Sequence, residues 1–199
     1  MLIPNVPVEY FKDFAFDEAG RVVWMPEVTR DNVIAHLGTL DWADRTPTRM
    51  EYFVADIDGA YTYGEGVGER TYEQQEWTPF LRGAQVAVQD FYSTQFEVLF
   101  LNRYMNERNW LGWHADNSPI MDHTRPIALI TFGAEREIHF APYEDKKDVT
   151  SLKLEHGSLC LMQPGMQISH VHRIPKAGFQ CGERVSFTFR GYVPPEPKA

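Results

Sequence analysis

The sequence is short of cysteine. Cys160 and Cys181 are its only two, too few for a disulfide framework and wrongly spaced for a four-ligand structural zinc site. Both read as reduced packing thiols, with Cys181, just before Arg184, partly exposed. It has no apolar run approaching a membrane span. Its first residues, MLIPNVPVEYF, lack the basic start and small-residue cleavage site of a secretory signal. The expectation is a cytoplasmic or nuclear (nucleoid) protein that is neither secreted nor membrane-bound. Positive charge is also scarce: 19 Lys and Arg stand against 28 Asp and Glu, a net charge of −9. That argues against a general nucleic-acid binder with a broadly basic surface, and leaves room only for a local basic patch. No internal repeat, low-complexity tract or long Pro/Gly linker divides the chain. A single domain over 1–199, taken as a monomer, is expected.

Hydrophobic residues make up 43% and aromatics 14%, enough for a proper core. Two helices are expected in the first half. One follows Thr29 as N-cap, with Val33, Ile34 and Leu37 on one face. The other follows Thr78-Pro79 and carries Phe80, Leu81, Ala84, Val88 and Phe91 at helical spacing. From about residue 96 to 193 short β-rich runs take over: FEVLFLNRYM, PIALITFG, EIHFAP, TSLKLE, SLCLMQPG and RVSFTFRGYV. Such spacing predicts an antiparallel sandwich or barrel. The fold class is therefore mainly β with N-terminal helices over about 1–95. The polar, proline-rich tail 194–199 is expected to fray.

The stretch NWLGWHADNSP places His114 two residues before Asp116. On an extended strand end, residues i and i+2 share a side, so one imidazole and one carboxylate can reach one point. A third ligand can come from His170 or His172 in QISHVHRIP. Two histidines and a carboxylate leave open positions on an iron, as a dioxygen-using enzyme needs. An H-x-D pair alone is a weak signal. His139 reads as a surface or satisfied polar residue. Near the end, Arg184 and Arg190 lie six apart on one alternating strand, on the same face as Ser186 and Thr188. Either that face meets solvent, or two inward guanidiniums bind a small dicarboxylic acid in forked fashion.

Taken together, these residues resemble the AlkB family of Fe(II)- and 2-oxoglutarate-dependent dioxygenases. The family pattern N-x-Y, H-x-D, distal H, R-x5-R is matched by Asn102 and Tyr104, His114 and Asp116, His172, and Arg184 and Arg190. The resemblance runs from about residue 46 onward and selects His172 over His170, because it directly precedes the x-x-P of HRIP. It implies a double-stranded β-helix (jelly-roll) core with a nucleotide-recognition lid. It implies Fe(II) held by His114, Asp116 and His172, and 2-oxoglutarate held by Asn102, Tyr104, Arg184, Ser186 and Arg190. Ser186 stands where the family often has asparagine. Dioxygen is the remaining co-substrate, and no protein general base is needed.

The stretch TPTRMEYFVADIDGAYTYGEG resembles the lid of the DNA-repair branch, with Pro47 and Arg49 ahead of Tyr61-Thr62-Tyr63-Gly64. A base taken out of its stack can be held between aromatic faces, while the alternative is a hairpin whose tyrosines pack on the core. Ser118 replaces the acid that helps that branch hold its base, so Asn117 or Asp122 are further candidates. Arg49, Arg70, Arg103, Arg108 and Lys176 are candidate phosphate contacts. The resemblance implies oxidative demethylation of N-alkylated bases in DNA or RNA, releasing formaldehyde, succinate and carbon dioxide. The same chemistry on a protein side chain or small molecule is the alternative, and a binding module that has lost activity is a third. Trp113 is expected to pack outward against the helices, and Trp110 to cover the loop or touch substrate.

Overall fold

A computed structural model describes residues 1–63 and 70–193, apart from the side chain of Tyr63. Two antiparallel sheets face each other. The larger has seven strands, in spatial order β1 (Val8–Phe11), β13 (Leu159–Met162), β10 (Ile127–Gly133), β15 (Arg184–Arg190), β8 (Val98–Tyr104), β5 (Arg49–Ala55) and β4 (Ala43–Thr46). The smaller has four: β12 (Thr150–Leu154), β11 (Arg136–Pro142), β14 (His170–Ile174) and β9 (Leu111–His114). Two ribbons stand apart, β2 (Arg21–Val22) with β3 (Met25–Thr29), and β6 (Tyr61–Tyr63) with β7 (Arg70–Tyr72). This is the jelly-roll of the expected class.

The alternating pattern explains the layering, because each strand of the large sheet has two different faces. One face of β15 carries Val185, Phe187 and Phe189. They join Leu99, Leu101, Ala128, Ile130 and Phe132 in the largest apolar cluster. Helices α1 (Val33–Gly38) and α2 (Pro79–Tyr92) cover that cluster with Val33, Leu37, Phe80, Leu81, Ala84 and Val88. The other face looks at the small sheet. Val8, Tyr10, Leu129, Cys160 and Met162 meet Ile138, Phe140, Leu152 and Leu154 in a second cluster. Helix α3 (Met166–Ser169) is a single turn that buries Met166 and Gln167.

Three findings differ from expectation. The first half is richer in strands than its helical periodicity indicates, and β1, β4 and β5 all join the large sheet. The first helix starts after Asn32, whose side chain bonds no helix amide and instead accepts the Thr29 amide proton, and Thr29 ends a strand instead of starting a helix. Phe91 is 48% exposed, though its ring edge meets Phe11 and Phe14. Thr78 does cap α2, accepting from the Leu81 amide at 3.3 Å. Gly133 ends β10 at φ +86, where any Cβ would run into the Glu183 carbonyl.

Candidate metal and co-substrate site

His114 is the last residue of β9 and pairs directly with His172 of β14. Their rings lie 4.2 Å apart between centroids. Asp116 follows two residues on, where its amide donates to Gln167 Oε1 at 2.9 Å. One ligand atom from each of His114, Asp116 and His172 falls within 4.8 Å of the others. The His114 Nδ1 lies 2.9 Å from the Gly112 carbonyl, a contact that protonates Nδ1 and leaves Nε2 as a donor atom for a metal.

Electrostatics keep this trio in the state a cation needs. Burial pushes the His172 imidazole down to about 3 and lowers that of His114, so both are neutral near pH 7. Burial opposes the charge on Asp116, but Arg190 and the two imidazoles outweigh it and hold the carboxyl at about 2. Arg190 donates to Asp116 Oδ1 at 2.8 Å. The second carboxylate oxygen, Oδ2, is buried and finds no hydrogen-bond donor among the described residues. A buried carboxylate oxygen left over beside two neutral imidazoles fits a divalent cation, and the donor set suits iron.

The trio opens into a cavity of about 250 Å3. Its floor comes from the inner face of β8 and β15, where cross-strand pairs set the neighbours: Arg184 opposite Tyr104, Ser186 opposite Asn102, Thr188 opposite Phe100. Leu111, Leu129, Ile138 and Ile174 supply apolar walls. Arg184 is fully buried, and none of its three side-chain nitrogens has a hydrogen-bond acceptor among the described residues. Its charge lies over the Tyr104 ring, 5.1 Å from the centroid. Burial drops its guanidinium to about 10. A buried cation of this kind is costly unless a carboxylate meets it, and it stands directly behind Tyr104, which lines the cavity together with Arg190.

Of the candidate substrate residues, Tyr61 and Arg49 line the cavity and Ser118 does not. Tyr61 is buried and stacks on Phe53 with centroids 5.1 Å apart. Burial raises its hydroxyl to about 12. The side chain of Tyr63, and Gly64, lie outside the described residues. Ser118 is buried, and its carbonyl accepts from the Met121 amide. Asp122 is tied to Thr124 and Arg125. Among the candidate phosphate contacts, Arg103 is held by Glu183 at 2.7 Å, Arg70 reaches the cavity rim, and Arg108 and Lys176 are exposed. His170 bonds to Ser169 at 2.8 Å and is not among the three clustered ligands, and His139 sits 3.0 Å from Glu137. Trp113 packs on Ala115, Ala141 and Val171 beneath Arg173, not against the helices, because β9 belongs to the small sheet. Trp110 is 39% exposed.

Sequence reasoning overlooked Tyr72 and Phe100 at the cavity and Arg136 beneath it. Arg136 is buried and bonds the carbonyls of Asn109 and Pro175, fixing the loops around the mouth. Alternation on β8 signalled Phe100, two residues before Asn102. The other two depend on which strands become neighbours.

A jelly-roll with two histidines and a carboxylate on its cavity, and a buried arginine behind the floor, defines the class of iron- and 2-oxoglutarate-dependent oxygenases. The family model described as "2OG-Fe(II) oxygenase superfamily" matches residues 18–190, and the chain belongs to that superfamily, in its AlkB group. The chain is 32% identical over 146 residues to the human alpha-ketoglutarate-dependent dioxygenase alkB homolog 3, covering 69% of this chain and 50% of the human one. It is 31% identical over 119 residues to the DNA oxidative demethylase ALKBH2 of Arabidopsis thaliana, covering 49% of this chain and 38% of that one. The chain thus spans about half the length, or less, of these curated relatives. The solved structure of OsALKBH1 shares the fold, with a TM-score of 0.62 at 15% identity over 94% of this chain and 97% of that one. No helix of the described residues is long and apolar enough to cross a membrane.

Proposed function

We propose that this protein removes N-linked methyl groups from nucleobases by oxidation, consuming 2-oxoglutarate and dioxygen. The observation that carries the proposal is the His114–Asp116–His172 trio on one cavity, with the buried Arg184 lying against Tyr104 of its lining. The names of the relatives, one of them a DNA oxidative demethylase, support the choice of substrate class. When bound, Fe(II) supplies the means of activating dioxygen. In balance, 2-oxoglutarate becomes succinate and carbon dioxide, and the methyl carbon leaves as formaldehyde.

The chain's own residues do the positioning. His114, Asp116 and His172 would hold the metal. Arg190 fixes the Asp116 carboxylate in one orientation. Arg184, buried against Tyr104, would take the distal carboxylate of 2-oxoglutarate. Asn102 and Ser186 bind the co-substrate from the same floor. Tyr61, Tyr72 and Arg49 line the cavity, where an extruded base would be held; Tyr63 and Ser118 are the further residues proposed to hold it. Apolar walls from Leu129, Ile138 and Ile174 exclude water from the oxidation.

The test is formaldehyde release from methylated DNA and RNA oligonucleotides, with methylated peptides and no substrate as controls. Formaldehyde from oligonucleotides in step with succinate is the expected result. Succinate that forms only with a peptide or small molecule overturns the substrate class. Tyr63→Ala should weaken oligonucleotide use by roughly 1–3 kcal/mol if the ring stacks on a base, and kinetics equal to the parent's would assign Tyr63 to packing.

A further inference from the structure

At the edge of the cavity Arg49 and Glu51 stand two apart on β5, on one face of the sheet, with Glu51 directly opposite Asn102 of β8. Arg49 Nε donates to Asn102 Oδ1 at 2.6 Å. Its Nη2 donates to Glu51 Oε1, also at 2.6 Å. The side chain of Glu51 is 2% exposed and that of Arg49 12%. Arg70 of β7 comes within 3.9 Å of the same Glu51 oxygen. The result is a chain of contacts from the β6–β7 ribbon to the cavity floor.

Each link restricts the next. An asparagine amide can be turned either way unless a neighbour settles it. Here an arginine N–H occupies the oxygen, so the amide must present its NH2 group as its remaining polar end. A donor on the floor suits a carboxylate ligand and an acceptor would repel it. Arg49, in turn, is long and flexible, and a nearly buried carboxylate with a short charge-assisted bond holds it in place. Glu51 does not line the cavity. We propose that Glu51 is a positioning residue for 2-oxoglutarate: it clamps Arg49, which orients the Asn102 amide toward the co-substrate. This rests on the reading of the cavity as a 2-oxoglutarate site. It assigns the carboxylate of Glu51 to co-substrate affinity and not to metal binding, because its bond to Arg49 leads on to Asn102 and, among the described residues, it has no hydrogen bond or ion pair with the trio.

The experiment measures binding in the absence of turnover. Mn(II) is titrated into the full chain by calorimetry, followed by 2-oxoglutarate into the Mn(II)-loaded protein without dioxygen. Glu51→Gln keeps shape and one acceptor but removes the charge. It should weaken 2-oxoglutarate by roughly 10-fold, the lower end of the effect of disturbing the groups that support a ligand-binding residue, with Mn(II) affinity unchanged. Arg49→Lys removes the forked donor and should show the same split. Retention of the parent's 2-oxoglutarate affinity in both variants overturns the role of Glu51. Equal loss of Mn(II) and 2-oxoglutarate overturns it too, since that is the mark of a general structural defect. A parent that binds Mn(II) but not 2-oxoglutarate overturns the reading of the cavity itself.

Discussion

The two faces of β15 make an instructive pair. Val185, Phe187 and Phe189 on one side are buried and packed against rings and aliphatic groups, including Phe80, Phe96 and Phe132. Arg184, Ser186, Thr188 and Arg190 on the other side are just as buried, yet polar. The first face is complete in itself. Among the described residues, the second holds three guanidinium nitrogens of Arg184 without a hydrogen-bond acceptor and looks onto an Asp116 Oδ2 without a donor. Same strand, same backbone bonds and same burial give a closed core on one side and a site awaiting charged ligands on the other. Stability resides on the apolar face, and function on the face that stability alone would not build.

Four changes break or sharpen that contrast. The largest effect is expected on the polar side: His172→Ala should abolish metal binding and turnover, while His170→Ala should leave Mn(II) affinity at the parent's value in calorimetry. The reverse outcome would move the distal ligand to His170. Next, Phe187→Ala on the apolar face should cost about 3–5 kcal/mol in urea unfolding, as buried aromatic truncations do. Its Mn(II) affinity at low temperature should match the parent's. Third, Arg184→Met should separate the two properties. Removing a buried charge without an acceptor should raise the stability of the ligand-free chain, on the order of 1–4 kcal/mol, while 2-oxoglutarate binding is lost. A destabilised variant that still binds 2-oxoglutarate would put the carboxylate elsewhere.

The smallest effect is in the pH dependence. Burial lowers His172 to about 3, below the roughly 6.5 of an unfolded imidazole. The unfolded chain then binds a proton that the folded one refuses. Stability of the metal-free protein is therefore whole above pH ~6.5 and falls as pH drops below it, by up to about 1.4 kcal/mol per pH unit for this one group. Asp116, depressed to about 2, adds a further loss only below pH ~4. Urea unfolding between pH 7 and 5 checks this: His172→Leu should flatten the slope, and an unchanged slope would place its origin in other groups.

Much of the site was legible in the chain because it is carried by short-range periodicity. The i and i+2 relation of His114 and Asp116, and the even spacing of Arg184 and Arg190, fix shared faces before any partner strand is known. Spacing did not distinguish His170 from His172; the resemblance to AlkB proteins did, and the pairing of His172 with His114 now supplies the geometry. Trp113 was misplaced because alternation tells which side a residue takes but not which sheet lies there. The first helix was begun too early because Thr29 and Asn32 are both capping residue types, and only the folded chain, in which Thr29 closes β3 and its amide donates to the Asn32 side chain, shows which one precedes the helix.

By itself, the sequence determined what depends on neighbours along the chain: a β-rich class, the capped helix at Thr78, the apolar and polar faces of each strand, and the motif residues with their order. Tertiary structure decided what depends on distant strands becoming adjacent. It set β5 beside β8, so that Arg49 reaches Asn102, and gave Asp116 to Arg190 while leaving Arg184 without an acceptor. It also brought Arg136, Tyr72 and Glu51 to the site or its edge. The physical reason is that side-chain direction is a local property of the backbone, whereas satisfaction of a buried charge is a property of everything around it.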